Sequence, residues 1–478
     1  MTVSMGGWDR RSVMAIGAGV LAVPSFATQS RASELPPAAL DRVLELMRDR
    51  RIPAAGIAVV HNGVTMMATG LGTASLPFEL PANEKTLFHL GSVGKQLTAA
   101  LVFELAEAGA IDLNEPNGRY VRGLPDAFAA IPVSALLNHT GGVPDYEGLP
   151  GFEADRPITR ETFLAGVSAV PIDFQPGRAW AYSNTGYVLL GYLLADVTGK
   201  SYRDLVTERL LRRASLPDAR VDDASAIIAR RAEPYVLEDG TTRHAVAMSS
   251  DYSQSADGGV LMSARDAAQW EHALQAGPIP SSATVVRLMR PALMSSGRSA
   301  AYGGGWFTDE VNGRAVQYHS GSVPGFLTFA WRAPSTRTAV TVMVNIESGP
   351  AGRFIEEASL MLAEFVAPGS TPLALAPIQD DAPDVTTQAL ALLTRGDRAL
   401  DAGLFTPEIS DLIGGRAASG VLPFKLGADT TGIEFRLVER YEEPGGQVRR
   451  YRISRNGRAR HVSFAYAPDG RIYRFRSL

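Results

Sequence analysis

The chain has 478 residues, 45 % hydrophobic and 20 % charged, an ordinary globular balance and too much chain for one small core. Its 46 Lys and Arg against 50 Asp and Glu leave a formal charge of −4, which excludes the broadly basic surface of a general nucleic-acid binder. With no cysteine there are no disulfides, thiolate nucleophiles or cysteine metal sites, and 47 Gly and 30 Pro scattered without a period exclude collagen-like and coiled-coil chains.

In chain order, the first feature reads as a leader. Arg10 and Arg11 precede an apolar run from Val13 to Val23. That run is shorter than the roughly 20 residues a membrane span needs. Small residues follow, with cleavage positions after Ala27 and Ala32. The arginine pair and the weakly apolar Ile16-Gly17-Ala18-Gly19 core predict a twin-arginine export signal over residues 1–32. The mature protein is then expected in the periplasm or secreted, with no stable membrane insertion.

Leu40, Val43, Leu44 and Met47 predict an amphipathic helix from Pro37 to Arg50. Gly56–Val60 and Val64–Thr69 flank His61-Asn62-Gly63 and predict a hairpin. Much later, Phe326–Trp331 and Thr338–Asn345 read as strands around Pro334-Ser335, followed by a helix from Ala351 to Phe365. One sheet assembled from both ends of residues 37–367 is expected, with a mostly helical insertion over about 100–310. Residues 368–383 are rich in Pro, Gly and Ser and read as a linker. Residues 384–478 read as a small α+β domain. In it a helix spans Val385–Ala402, and strands are divided by turns at Gly445-Gly446, Asn456-Gly457 and Asp469-Gly470. Its arginines (449, 450, 452, 455, 458 and 460) read as a solvated strand face, the alternative being a patch for an acidic polymer or for the parent domain.

The chemistry concentrates in three short stretches. Ser92 stands at a predicted helix start with Lys95 three residues on, so both share a helix face. A serine hydroxyl needs such a partner to become a nucleophile, and burial can lower a lysine's pKa enough to accept a proton. Tyr182-Ser183-Asn184 precedes an apolar helix and offers a phenol for proton transfer and an amide for a substrate carbonyl. His319-Ser320-Gly321-Ser322 is placed just before the strand beginning near Phe326, its glycine allowing close backbone approach. The amides of Ser92 and Ser322 are candidates for an oxyanion hole.

These motifs, in this order, resemble the serine β-lactamase and penicillin-binding protein superfamily, in its class C-like branch of DD-peptidases, D-aminopeptidases and esterases. Supporting stretches are Leu136–Tyr146, Ser255–Val260 and Tyr302–Trp306. The resemblance covers about Leu40–Phe365; the C-terminal unit resembles NTF2-like or cystatin-like sheets. It implies an α/β (α+β) fold: an antiparallel sheet flanked by helices, a helical subdomain, and the small C-terminal domain. It also implies an acyl-enzyme cycle, with Ser92, Lys95 and Tyr182 catalytic and Asn184, His319, Ser320, Gly321 and Ser322 binding substrate.

One departure stands out. β-Lactamases and many DD-peptidases open the third motif with lysine, and here His319 stands there. A mostly neutral imidazole offers a substrate carboxylate less. An exported hydrolase of small esters or D-amino-acid amides is therefore expected. The alternatives are a β-lactamase or DD-carboxypeptidase, and a slowly acylating cell-wall peptide or β-lactam sensor. No glutamate stands out as a separate deacylating base, and Asp257 reads as a turn residue. The seven histidines are dispersed, no HExxH occurs, and Leu90 breaks a Gly-x-Ser-x-Gly pattern. No metal, cofactor or nucleic-acid partner is expected, only a small-molecule or peptide substrate.

Overall fold

The computed structural model describes residues 35, 37–277, 280–394, 401–413, 426, 430–455 and 458–477. The expected leader, residues 1–32, and the Asn456-Gly457 turn lie outside the described residues. The main sheet takes strands from both ends of residues 37–367. They are β1 (Ala54–His61), β2 (Val64–Ser75), β3 (Phe307–Val311), β4 (Arg314–Val323), β5 (Phe326–Ala333) and β6 (Thr338–Val344). With the two-residue strand Leu80–Pro81 at one edge, the order is Leu80–Pro81, β2, β1, β6, β5, β4, β3. β1 and β6 run antiparallel, Gly56 opposite Met343 and Ile57 opposite Val342, so the expected joining of the two ends is present. Asn62 and Gly63 turn the first hairpin with φ of 51° and 73°, the pair of positive angles a two-residue turn demands.

The principal helices are α1 (Pro37–Asp49), α2 (Lys95–Glu107), α3 (Asn184–Thr198), α4 (Ala264–Ala276) and α5 (Gly349–Val366). Both faces of the sheet are covered. Ile57 and Val59 cluster with Val43 and Leu46 of α1 and Phe354 and Leu362 of α5. Ala58 and Val60 point the other way and join Leu97 of α2. Residues Lys95 to Phe103 of α2 are buried without a break, so the helix has no solvent face until its last turn and serves as the central post of the helical region.

Two features add to the expected layout. The His319-Ser320-Gly321-Ser322 motif does precede the strand at Phe326, and it is itself part of a strand: it lies inside β4, opposite Ala330, Phe329, Thr328 and Leu327 of β5. The helical insertion also carries short strands: Phe88–His89 and Arg220–Val221 both pair with Val260–Met262. That ladder joins the chain just before Ser92 to the segment after Asp257.

In the C-terminal region α6 (Pro383–Thr394) packs on an antiparallel sheet of β7 (Glu434–Glu443), β8 (Gly446–Arg455), β9 (Arg458–Tyr466) and β10 (Ile472–Ser477). Its core of Leu437, Tyr451, Phe464 and Leu393 also takes in Phe174, Ala179 and Ala181 from the larger, N-terminal region. The stretch expected as a linker is held down. Ser370 and Thr371 are buried, and the Ile378 amide donates to the Leu437 carbonyl at 2.9 Å. Nor are all the arginines a solvated face. Arg449 is buried against Asp380 (2.6 Å) and Asp381 (2.8 Å), and Arg450 against Asp309 (2.8 Å) and Glu439. Complementary carboxylates on distant segments explain why these two turn inward.

Candidate active site

Ser92 sits in a 3₁₀ turn, Gly91–Gly94, that runs directly into α2. The turn is pressed between backbones. Gly91 has φ of 51°, and a Cβ placed there would lie 2.7 Å from Ser322 N. A Cβ on Gly258 would lie 2.8 Å from the Gly91 carbonyl carbon, and one on Gly321 only 2.0 Å from the Leu90 oxygen and 3.1 Å from Ser92 N. These glycines let β4 and the Asp257-Gly258-Gly259 loop close on the serine from two sides. They also bring the Ser92 and Ser322 amides to the same gap. Buried His89 fixes the turn from below, its Nδ1 accepting from Gly91 N at 3.1 Å. Gly321→Ala is therefore expected to displace β4 from Ser92 and lower kcat/KM by about 10²-fold with the fold retained. Steady-state rates and circular dichroism of that variant check this.

Lys95 Nζ is fully buried and meets three oxygens: Ser92 Oγ at 3.0 Å, Asn184 Oδ1 at 2.7 Å and the Asp257 carbonyl at 2.6 Å. As an ammonium it donates to all three. As a neutral amine it has two N–H bonds for the two closer acceptors, and its lone pair is left for the Ser92 hydroxyl. Burial lowers the Lys95 pKa, against the opposing pull of Asp257, Glu147 and Asp145. Half-buried Tyr182 lies with its ring 5.0 Å from Nζ. Its hydroxyl, though buried, closes no hydrogen bond of standard geometry. Burial raises its pKa well above the usual phenol value, while the Ser92 hydroxyl pulls the other way. It is thus a neutral phenol facing Ser92. Ser183 caps α3 with its side chain, which sets Asn184 at the helix start with Tyr182 just outside it.

The third-motif residues divide by strand alternation. Ser320 and Ser322 are exposed, and His319 and Gly321 are buried. His319 Nδ1 lies 2.6 Å from the Ser320 carbonyl, which only accepts, so the hydrogen sits on Nδ1. Nε2 then accepts from the Tyr302 hydroxyl at 2.9 Å. Burial, then the nearby Lys95 charge, pushes the His319 pKa down to about 3. This histidine is a neutral buttress with both nitrogens engaged. Phe307 packs on it (5.0 Å between centroids) and on Tyr182 (6.5 Å), and Arg476 of β10 lies 4.7 Å over Phe307. His139, at φ of 61°, supports Tyr182 from the other side at 4.3 Å.

Sequence reasoning missed an acidic rim. Asp145 accepts from the Asn184 amide and side chain at 3.2 and 3.3 Å, and burial raises its pKa to about 6. Asp257, read as a turn residue, gives its carbonyl to Lys95 and its carboxylate to the Tyr146 hydroxyl at 3.0 Å. Glu147 does border the cavity, within 3.5 Å of the Tyr252 hydroxyl, and burial followed by repulsion from Asp145 raises its pKa to about 7. The Asp-Gly-Gly triplet was the available signal for Asp257; Glu147 carried none. The cavity over Ser92 leaves room for about 20 Å³, little more than one water.

The Beta-lactamase family model matches residues 40–364. The chain belongs to the Beta-lactamase family. Within that family a penicillin-binding protein of Bacillus subtilis (strain 168) is 27 % identical over 334 residues, 64 % of this chain and 72 % of that protein. A D-aminopeptidase of Gluconobacter oxydans (strain 621H) is 26 % identical over 309 residues, 61 % of this chain and 56 % of the relative, so the chain spans little more than half that enzyme. Among solved structures, the D-amino acid amidase of Ochrobactrum anthropi SV3 has the same fold. It matches with a TM-score of 0.60 at 24 % identity, over 69 % of this chain and 98 % of that one. The protein is a serine hydrolase of the β-lactamase fold.

Proposed function

We propose that the protein hydrolyses small esters and D-amino-acid amides through an acyl-enzyme on Ser92, outside the cytoplasm. The observation that carries the chemistry is the position of Lys95 Nζ, buried and shared between Ser92 Oγ, Asn184 Oδ1 and the Asp257 carbonyl. Neutral Lys95 takes the Ser92 proton as Oγ attacks the carbonyl. The negative oxygen that forms is received by the Ser92 and Ser322 amides. The proton passes through the Tyr182 hydroxyl to the departing amine or alcohol. Water then repeats the sequence and releases the acid.

The neutral, fully engaged His319 supports this substrate class over carboxylate-bearing β-lactams, because no cation stands at the head of the third motif. The acidic rim suits a substrate amine, and the D-aminopeptidase relative points the same way. The export signal read over residues 1–32 supports the location.

The test is turnover of p-nitrophenyl acetate, D-phenylalanine amide and nitrocefin by wild type and Ser92→Ala. Hydrolysis of the first two, lost in the variant, is expected, with nitrocefin at least about 10-fold poorer. Stoichiometric acylation without turnover would overturn the hydrolytic reading in favour of a sensor.

A further inference from the structure

The catalytic cavity is too small for more than a reacting carbonyl, but it shares two of its walls with a larger groove. We propose that this groove holds a bulky apolar substituent of the substrate; the proposal rests on the Ser92 hydrolase reading above. The groove has a volume of about 340 Å³, and Tyr146 and Tyr252 line both spaces. Any substrate larger than its scissile bond has to extend beyond the 20 Å³ over Ser92.

Its floor is one face of α3. Val188, Gly191, Tyr192 and Ala195 all line it, a spacing of three, four and seven residues along a helix. The same helix presents Asn184 to Lys95 at its first residue. A group seated on this floor is therefore in fixed register with the nucleophile. The walls are aromatic and mutually braced. Tyr146 packs on Phe152 (5.7 Å) and Phe163 (5.5 Å), and Phe163 on Tyr192 (6.1 Å), mostly at steep angles.

The two shared tyrosines divide the spaces chemically. Their hydroxyls are turned to the acids of the catalytic side, Tyr146 to Asp257 and Tyr252 to Glu147. That leaves their carbon faces for the groove, the usual division of a phenol between a polar and an apolar partner. The charged residues among the lining are engaged: Arg160 pairs with Asp196 at 2.6 Å, Arg156 with Glu153 at 3.3 Å, and Asp251 accepts from the Ile158 amide at 3.0 Å. What the groove offers a ligand is aromatic and aliphatic surface behind the two tyrosines that also wall the cavity over Ser92. It suits a phenyl ring or a medium alkyl chain continuous with the bond being cut.

The experiment uses the full chain and two series of p-nitrophenyl and alkyl esters, one lengthened on the acyl side and one on the alcohol side. A rise in kcat/KM of at least about 10-fold from two to eight carbons in either series is expected. Ala195→Trp, which puts an indole on the groove floor, is expected to lower the long-to-short ratio by at least about 10-fold. Phe152→Ala is expected to shift the preferred length. Flat series on both sides overturn the proposal, and so does a ratio untouched by Ala195→Trp, which would point to an effector unrelated to the substrate. Ester hydrolysis no faster than with Ser92→Ala brings down the hydrolase reading and the groove proposal together. Loss of the length preference alone leaves the Ser92 chemistry standing.

Discussion

Lys95→Ala is expected to lower kcat/KM for p-nitrophenyl acetate by about 10³–10⁴-fold, with a much smaller change in KM. The amine is the base nearest the Ser92 hydroxyl, 3.0 Å away. Its loss also leaves Asn184 Oδ1 and the Asp257 carbonyl without their donor, so the variant must be shown folded before the rate is read. The pH profile carries independent information. Wild-type kcat/KM is expected to rise as Lys95 loses its proton, and burial moves that limb below the ordinary lysine value of 10.5. In Lys95→Ala this limb disappears. A rate within tenfold of wild type, or an unchanged acid limb, would remove Lys95 from the proton path.

The residues of this argument were unevenly legible in the sequence. Ser92, Lys95, Tyr182 and Asn184 lie at spacings of two or three, so helix and turn geometry alone bring each pair to one side. The two pairs meet only because α2 and α3 pack, which no local pattern reveals. Asn62-Gly63 was plain because that turn needs two positive φ angles, and asparagine and glycine tolerate them best. Strand β4 was not seen, because Gln317, His319 and Ser320 break the apolar alternation that marks a strand. Asp257, Glu147 and the His319–Tyr302 bond are long-range in effect. Their meaning depends on what burial does to charge, and sequence spacing is silent on that.

The C-terminal domain was the least legible part, and it yields the second large expectation. Arg450→Met is expected to destabilise the protein by about 3–5 kcal/mol. The Arg450 side chain is 1 % exposed, donates to the Glu310 carbonyl at 2.8 Å, and ion-pairs with Glu439 and with Asp309 of β3 at 2.8 Å. Methionine matches much of the stem but leaves two carboxylates without their cation. Burial alone would raise the Asp309 pKa, and the Arg450 charge with the Tyr441 hydroxyl more than reverses it. A carboxylate held below its unfolded value stabilises above the ordinary carboxylate range. That contribution is lost as the pH falls through the lowered value. Arg450→Met is thus expected to lower the urea midpoint at neutral pH and to narrow its gap from wild type in acid. Asp309→Asn in the same background is expected to restore part of the loss, by removing one stranded charge. Phe307, two residues before Asp309 on the same side of β3, packs on Tyr182 and His319. A loosened seat for the C-terminal sheet should therefore also reduce turnover, by less than the loss of Lys95 does. An unchanged urea midpoint with Arg450→Met would mean that the pair merely balances its own desolvation.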